Sequence, residues 1–155
     1  MKTTTRIGLL LLGAALCAPV SAAKDPNEGL IKARKADMQM RSFNAGPLFA
    51  MARGKMPYDA ELAQTSANNL KTLYTVKMGR AWKQGTDNGK YESTRALPEI
   101  WTTWPKVGDA GKAYSKAVSE LAAVAGNGLD AMKPAVGNLG KACKGCHDDY
   151  RAELK

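Results

Sequence analysis

Apolar residues recur along the chain at helical spacing, in four separate runs. Between about residues 27 and 53, Ile31, Met38, Ala45 and Ala52 fall seven apart, with Leu48 three beyond Ala45, so they share one helix face. Pro47 interrupts this run and is expected to kink it, because proline brings no N–H to the helical ladder. A second run starts near Pro57-Tyr58-Asp59 and carries Leu62, Ser66, Leu70, Leu73 and Lys77, with Tyr74 and Met78 beside the stripe. It is expected to fade near Trp82. Residues 83–96 hold Gly85, Asp87, Asn88 and Gly89, turn formers at the density of a loop. In the third run, Trp104, Val107, Ala110, Tyr114, Ala117, Leu121 and Val124 step by three or four until Gly126-Asn127-Gly128 stops them. Pro98 suits a helix start, while Pro105 would have to lie in the first turns, so the start stays open. The fourth run, from Leu129 to about Leu154, carries Met132, Val136, Leu139, Cys143, Cys146 and Tyr150. No segment alternates apolar and polar positions with β-branched enrichment, so no sheet is expected. Four amphipathic helices with mostly short connections predict an all-α, antiparallel four-helix bundle, in which most striped residues are ordinary core.

The chain ahead of these helices has a different character. Residues 1–6 carry Lys2 and Arg6 and no acid, residues 7–20 are apolar around Leu9-Leu10-Leu11-Leu12, and small Ser21, Ala22 and Ala23 follow. That order is a secretory signal. Its apolar part falls short of the roughly 20 residues a bilayer span needs. An uncleaved anchor is the competing reading. Lipidation at Cys17 is disfavoured because Leu16, rather than a small residue, precedes it. The expected division is a signal peptide at residues 1–23 and one helical domain at residues 24–155. With 45% apolar and 24% charged residues, the chain has globular composition, and no later stretch is apolar enough to span a membrane. The net charge is +9; loss of Lys2 and Arg6 leaves 21 basic against 14 acidic residues, or +7.

Removal of the signal leaves Cys143 and Cys146 as the only cysteines, in Cys143-Lys144-Gly145-Cys146-His147. This is C-x-x-C-H, the attachment pattern of c-type haem. On a helix Cys143, Cys146, His147 and Tyr150 stand at i, i+3, i+4 and i+7, one face. Two thiols can then form thioethers with one porphyrin while His147 serves as proximal iron ligand, and Gly145 leaves room for the ring edge. A thioredoxin-like redox pair would expect a βαβ context, which is missing. A zinc site would have two thiolates, one imidazole and no evident fourth ligand. A disulfide so short would restrict little of the unfolded chain.

His147 is the only histidine, so bis-histidine ligation within one chain is excluded. Methionine is the usual alternative sixth ligand. Met38, Met40, Met51, Met56, Met78 and Met132 remain, and on pattern alone each fits gap-filling core better than a ligand. Met38 stands out because Arg34, one turn earlier on the same face, could pair with a haem propionate. Met40 points to nearly the opposite side. A solvated surface charge is the other reading of Arg34.

These features resemble the cytochrome c′ family, the class II c-type cytochromes. Cys143-Lys144-Gly145-Cys146-His147-Asp148-Asp149-Tyr150-Arg151 is similar to the family's C-x-x-C-H-x-x-Tyr/Phe-Arg ending. Ala52-Arg53-Gly54-Lys55-Met56-Pro57-Tyr58-Asp59 is similar to its turn between helices A and B, and Leu97-Pro98-Glu99-Ile100-Trp101 to the segment before helix C. The resemblance implies one covalent haem c whose distal face is filled from helix A. High-spin members put an apolar residue there and leave iron open to nitric oxide or carbon monoxide; low-spin members put methionine there. Counting back from Pro57, that position falls on Met38 and the propionate-contacting arginine on Arg34, which implies the low-spin Met/His branch. Arg151 matches the basic residue near the proximal histidine. Trp101 and Tyr150 would line the haem pocket or serve as plain core.

The function so implied is a periplasmic single-electron carrier, with gas binding at an open or displaceable distal site as the alternative. The +7 charge would attract redox donors and acceptors with an acidic docking face. Nucleic acid is not an expected partner for an exported chain. No second histidine or other acid-base pair suggests an enzyme. The resemblance also brings the prospect of a homodimer through helices A and B.

Overall fold

Aspartates cap the first two helices. The Asp25 carboxylate accepts from the Asn27 N–H at 2.8 Å and the Asp59 carboxylate from the Leu62 N–H at 2.9 Å, satisfying donors that the first turn leaves free. The structure is a computed structural model that describes residues 25–153; the expected signal peptide lies outside the described residues. Helix α1 spans Pro26–Ala52, α2 Ala60–Thr75, α3 the single turn Glu99–Thr102, α4 Lys106–Val124 and α5 Leu129–Tyr150. A 3-10 turn at Gly79–Ala81 lies in the connection after α2. Gly54 (φ 67°) and Gly128 (φ 108°) supply left-handed backbone where the chain leaves α1 and enters α5.

Several boundaries differ from expectation. Helix α1 continues through Pro47. The hydrogen bond lost there belongs to the carbonyl of Phe43, a residue 75% exposed, where water can replace it. Helix α2 ends at Thr75 instead of near Trp82, because Val76 turns to extended backbone. Arg41 Nη2 donates to the Leu73 carbonyl at 3.0 Å and so satisfies an acceptor of that last turn, and Lys77 lies beyond the helix. Pro98 opens only α3, α4 starts at Lys106, and Trp104 stands outside both at 71% exposure rather than in a core stripe. Helix α5 stops at Tyr150, four residues early, because Arg151 turns extended and pairs with Ala96. Among the described residues that isolated bridge is the only β pairing. It is held by Leu97 N–H to the Tyr150 carbonyl (3.1 Å) and Ala152 N–H to the Arg95 carbonyl (2.9 Å).

Helix α1 packs on α2 and α5, and α4 on α2 and α5, which closes a four-helix ring. The buried cluster joins Leu48 and Met51 of α1, Ala63, Ala67 and Leu70 of α2, Ala117, Val118 and Leu121 of α4, and Met132, Val136 and Leu139 of α5. Late α1 and α4 thus meet early α2 and α5, so every neighbouring pair runs antiparallel. The aliphatic core also occupies one end of the bundle. The other end holds early α1, late α5 and the long connection, and there the buried residues include Arg34, Thr86, Asp87 and Thr94. Burying a Leu or Val side chain contributes about 1.5–3 kcal/mol, so one end supplies most of the apolar stabilisation.

Candidate haem-attachment site

Late α5 carries Cys143, Cys146 and His147 half-buried, and Tyr150 buried below them. Both cysteines are free thiols. Burial pushes the Cys143 thiol above its ordinary value, with Cys146 adding and Arg41 opposing. Burial does the same at Cys146, with Asp149 adding and Arg151 opposing. At His147 burial lowers the pKa, and the positive charges of Arg151 and Arg95 act in the same sense. These effects favour the neutral imidazole, the form that ligates a metal. No atom lies within 4 Å of the place a Cβ would take on Gly145. A cleft of about 370 Å³ opens beside it between α4 and α5, floored by Ala110, Ala113, Ala142 and Cys146 and edged by Lys106, Asp109, Lys141 and Asp149.

Early α1 carries the other candidate residues, Arg34 and Met38. Arg34 is 3% exposed and is no solvated surface charge. Its Nη1 donates to Thr86 Oγ1 at 2.7 Å, and its Nη2 to Thr94 Oγ1 at 2.9 Å and to the Thr86 carbonyl. The guanidinium carbon lies 5.2 Å from the Trp82 ring centroid and 5.9 Å from that of Trp101. Trp101 Nε1 in turn donates to the Trp82 carbonyl at 2.8 Å. Burial pulls the Arg34 pKa down and Asp87 opposes that. Met38, one turn on, is 41% exposed. Met51 and Met132 are fully buried in the far core, and Met40 is 49% exposed. Tyr150 accepts a hydrogen bond at its hydroxyl from Thr103 Oγ1 (3.1 Å). Arg151 is exposed, and its charge reaches Cys146 and His147.

Sequence reasoning passed over one cluster. Arg41 Nε donates to Asp37 Oδ2 at 2.9 Å, and the two side chains are only 16% and 8% exposed. The Arg41 guanidinium carbon sits 5.0 Å from the Tyr114 ring centroid. The Tyr114 hydroxyl is buried without a hydrogen-bond partner. Asp37 and Arg41 stand at i, i+4, a visible signal, but such pairs are usually solvated. Thr86 and Thr94, which accept from Arg34, fall in the expected loop, and Trp82, whose ring lies against it, at the expected end of the second helix.

The residues fit a covalent haem. Two thiols and an imidazole whose neutral form is favoured stand on late α5, Cys146 lines the cleft beside Gly145, and the buried Tyr114 hydroxyl, which packs against the same cluster as Cys143, has no hydrogen-bond partner. Among the described residues no group of three or more His, Cys, Asp or Glu side chains could hold a bare metal ion. A porphyrin brings its own four nitrogen ligands and needs only axial ones from the chain.

A four-helix bundle with C-x-x-C-H on its last helix defines a c-type haem cytochrome. The family model described as cytochrome C' matches residues 29–151. Cytochrome c' of Cereibacter sphaeroides is 36% identical over 148 residues, 96% of this chain and 98% of that protein. Cytochrome c' of Allochromatium vinosum is 34% identical over 152 residues, 97% of this chain and 96% of its own length. Cytochrome c-554 of Cereibacter sphaeroides is 33% identical over 147 residues, covering 94% and 96%. A solved cytochrome c' from Rhodobacter spheriodes superposes with a TM-score of 0.81 at 36% identity, covering 83% of this chain and 98% of that one. The chain belongs to the cytochrome c′ family, and covalently bound haem c is its cofactor.

Proposed function

We propose that the protein carries single electrons, with Cys143 and Cys146 as thioethers, His147 as proximal iron ligand and Met38 as distal ligand. One observation carries the distal assignment. Met38 lies on α1 in the bundle half of Cys143 and His147, and the far core does not absorb it as it absorbs Met51 and Met132. The cofactor supplies a one-electron couple when bound. The chain's part is to provide both ligands, exclude water and set the surrounding charge. Arg34 uses three of its five N–H groups on Thr86 and Thr94, which leaves Nε–H and one Nη1–H for a propionate. Trp101 and Tyr150 wall the pocket, and Arg151 acts on His147 by charge.

Absorption spectra of the ferrous protein with and without carbon monoxide test this. A low-spin spectrum unmoved by the gas is expected, and Met38→Ala should turn it high-spin. A low-spin Met38→Ala protein rules out this ligand.

One observation favours a second reading, gas binding. The Met38 side chain is not wedged in place, which leaves it displaceable. A mutant of cytochrome c prime from Alcaligenes xylosoxidans, 29% identical with a TM-score of 0.72, has been solved as a nitric oxide complex. A rapid carbon monoxide shift in the wild-type spectrum selects this reading over electron transfer.

The relatives are named as cytochromes and not as enzymes, and no catalytic activity is proposed. Residues 1–23 support export to the periplasm. No helix among the described residues is long and apolar enough to cross a membrane. The charge of +7 supports redox partners with acidic docking faces rather than nucleic acid. Exposed Met40 and Phe43 on α1 support a homodimer through α1 and α2.

A further inference from the structure

Arg41 is a charged group inside the half of the bundle that carries the cofactor. It ties three helices together: it sits on α1, donates to the Leu73 carbonyl of α2 and stacks on Tyr114 of α4. Tyr114 and Cys143 of α5 pack against the same buried cluster. We propose that the Asp37–Arg41 pair is an oriented charge couple that raises the reduction potential of the haem. This rests on haem attachment at Cys143 and not on which group is the sixth ligand.

The pair is neutral in sum but not in its effect. Asp37 binds the Nε side of the guanidinium, while the guanidinium itself stacks on Tyr114. The guanidinium is the end in contact with Tyr114, 5.0 Å from the ring centroid, and Tyr114 shares its buried cluster with Cys143, so the positive end faces the attachment helix. In keeping with this, the charge of Arg41 acts on Cys143 and outweighs that of Asp37 at Tyr114. Desolvation is the largest single effect and opposes the Arg41 charge, but the hydrogen bond Arg41 donates to Asp37, taken together with smaller contributions, outweighs it, and the pKa is raised. Arg41 therefore stays charged at every working pH. One-electron reduction by a redox partner adds a single negative charge to the cofactor and makes or breaks no bond. A fixed positive end nearby favours the reduced state, and solvent and salt screen it little inside the bundle. At an effective dielectric of about 20, one enclosed charge near the cofactor alters the reduction equilibrium constant by roughly tenfold. For one electron that is ~59 mV.

Potentiometric titration of the mature holoprotein at constant pH and ionic strength tests the proposal. Arg41→Met should lower the midpoint by up to that amount, Arg41→Lys should hold it near wild type, and Asp37→Asn should raise it. Thermal unfolding run in parallel reads the helix-tying role, which the two charge-removing variants weaken in the same direction. If Arg41→Met fails to fold, Asp37→Asn decides the matter alone. A midpoint unchanged or lowered in Asp37→Asn overturns the proposal, as does an unchanged midpoint in folded Arg41→Met. A carbon monoxide shift would end the electron-transfer reading and a low-spin Met38→Ala spectrum the Met38 assignment, and either would leave these opposite signs intact.

Discussion

Replacing Arg34 with alanine perturbs the polar end of the bundle at its most connected point. The guanidinium is almost fully enclosed and donates to two residues of the connection, Thr86 and Thr94, which lie 52 and 60 positions away in sequence. Hydrogen bonds from a charged donor are each worth about 1.5–3 kcal/mol, and the two aromatic contacts add about 0.5–1 kcal/mol each at a partly wet site. These terms do not add in full, because the variant admits water to the Thr86 carbonyl. A net loss of about 3 kcal/mol is expected, roughly what two such hydrogen bonds supply. For a domain of this size that lowers Tm by roughly 10–15 °C. Circular dichroism melts of the holoprotein provide the global reading. Amide exchange provides the local one: protection should be lost across residues 86–96 and kept around Leu121. Arg34→Lys should recover less than half, since one ammonium cannot reproduce the planar fork that spans three acceptors. A melting point within about 2 °C of wild type, or exchange rising equally in the far core, refutes this account of Arg34.

Two further outcomes follow from the division of the bundle. Leu121→Ala empties a fully buried site in the far core and should cost about 2–5 kcal/mol. The visible spectrum of its folded fraction should match wild type, and a spin-state change would mean that the two ends are not separable. Phe43→Asp puts a charge on an exposed aromatic of α1 and should convert a dimer to monomer in sedimentation while leaving the melt of the monomer within about 0.5 kcal/mol, as for other surface changes. An unchanged sedimentation coefficient removes α1 from the interface.

Helical spacing carried most of the architecture, because an amphipathic period is a local property. Leu48, Leu70, Leu121, Val136 and Leu139 were placed in stripes and are buried where four helices meet. The attachment motif was equally legible, since two thiols and an imidazole at i, i+3 and i+4 share a helix face whatever surrounds them. Element ends were less so. Helix α2 stops at Thr75, where Val76 turns extended and Arg41 of another helix donates to the Leu73 carbonyl, and α5 stops at Tyr150 because residue 151 pairs with residue 96.

Polar burial was far less legible, although Ser66, placed in the second stripe, is buried. The stripe of α1 that faces inward includes Ile31, Arg34, Asn44, Leu48 and Met51, and its polar members look like surface to any hydropathy reading. Arg34 is buried only because Thr86 and Thr94 bring acceptors to it, and Asn44 because Asn69 donates to its side-chain oxygen at 2.8 Å. Asp37 and Arg41 form a pair that spacing alone assigns to solvent, yet packing against Tyr114 encloses it. The order of residues along one strand of polymer decides which faces are apolar and which side chains share a turn. Whether a charge is hydrated or enclosed depends on partners that fold in from dozens of residues away, and that follows only once the helices are packed.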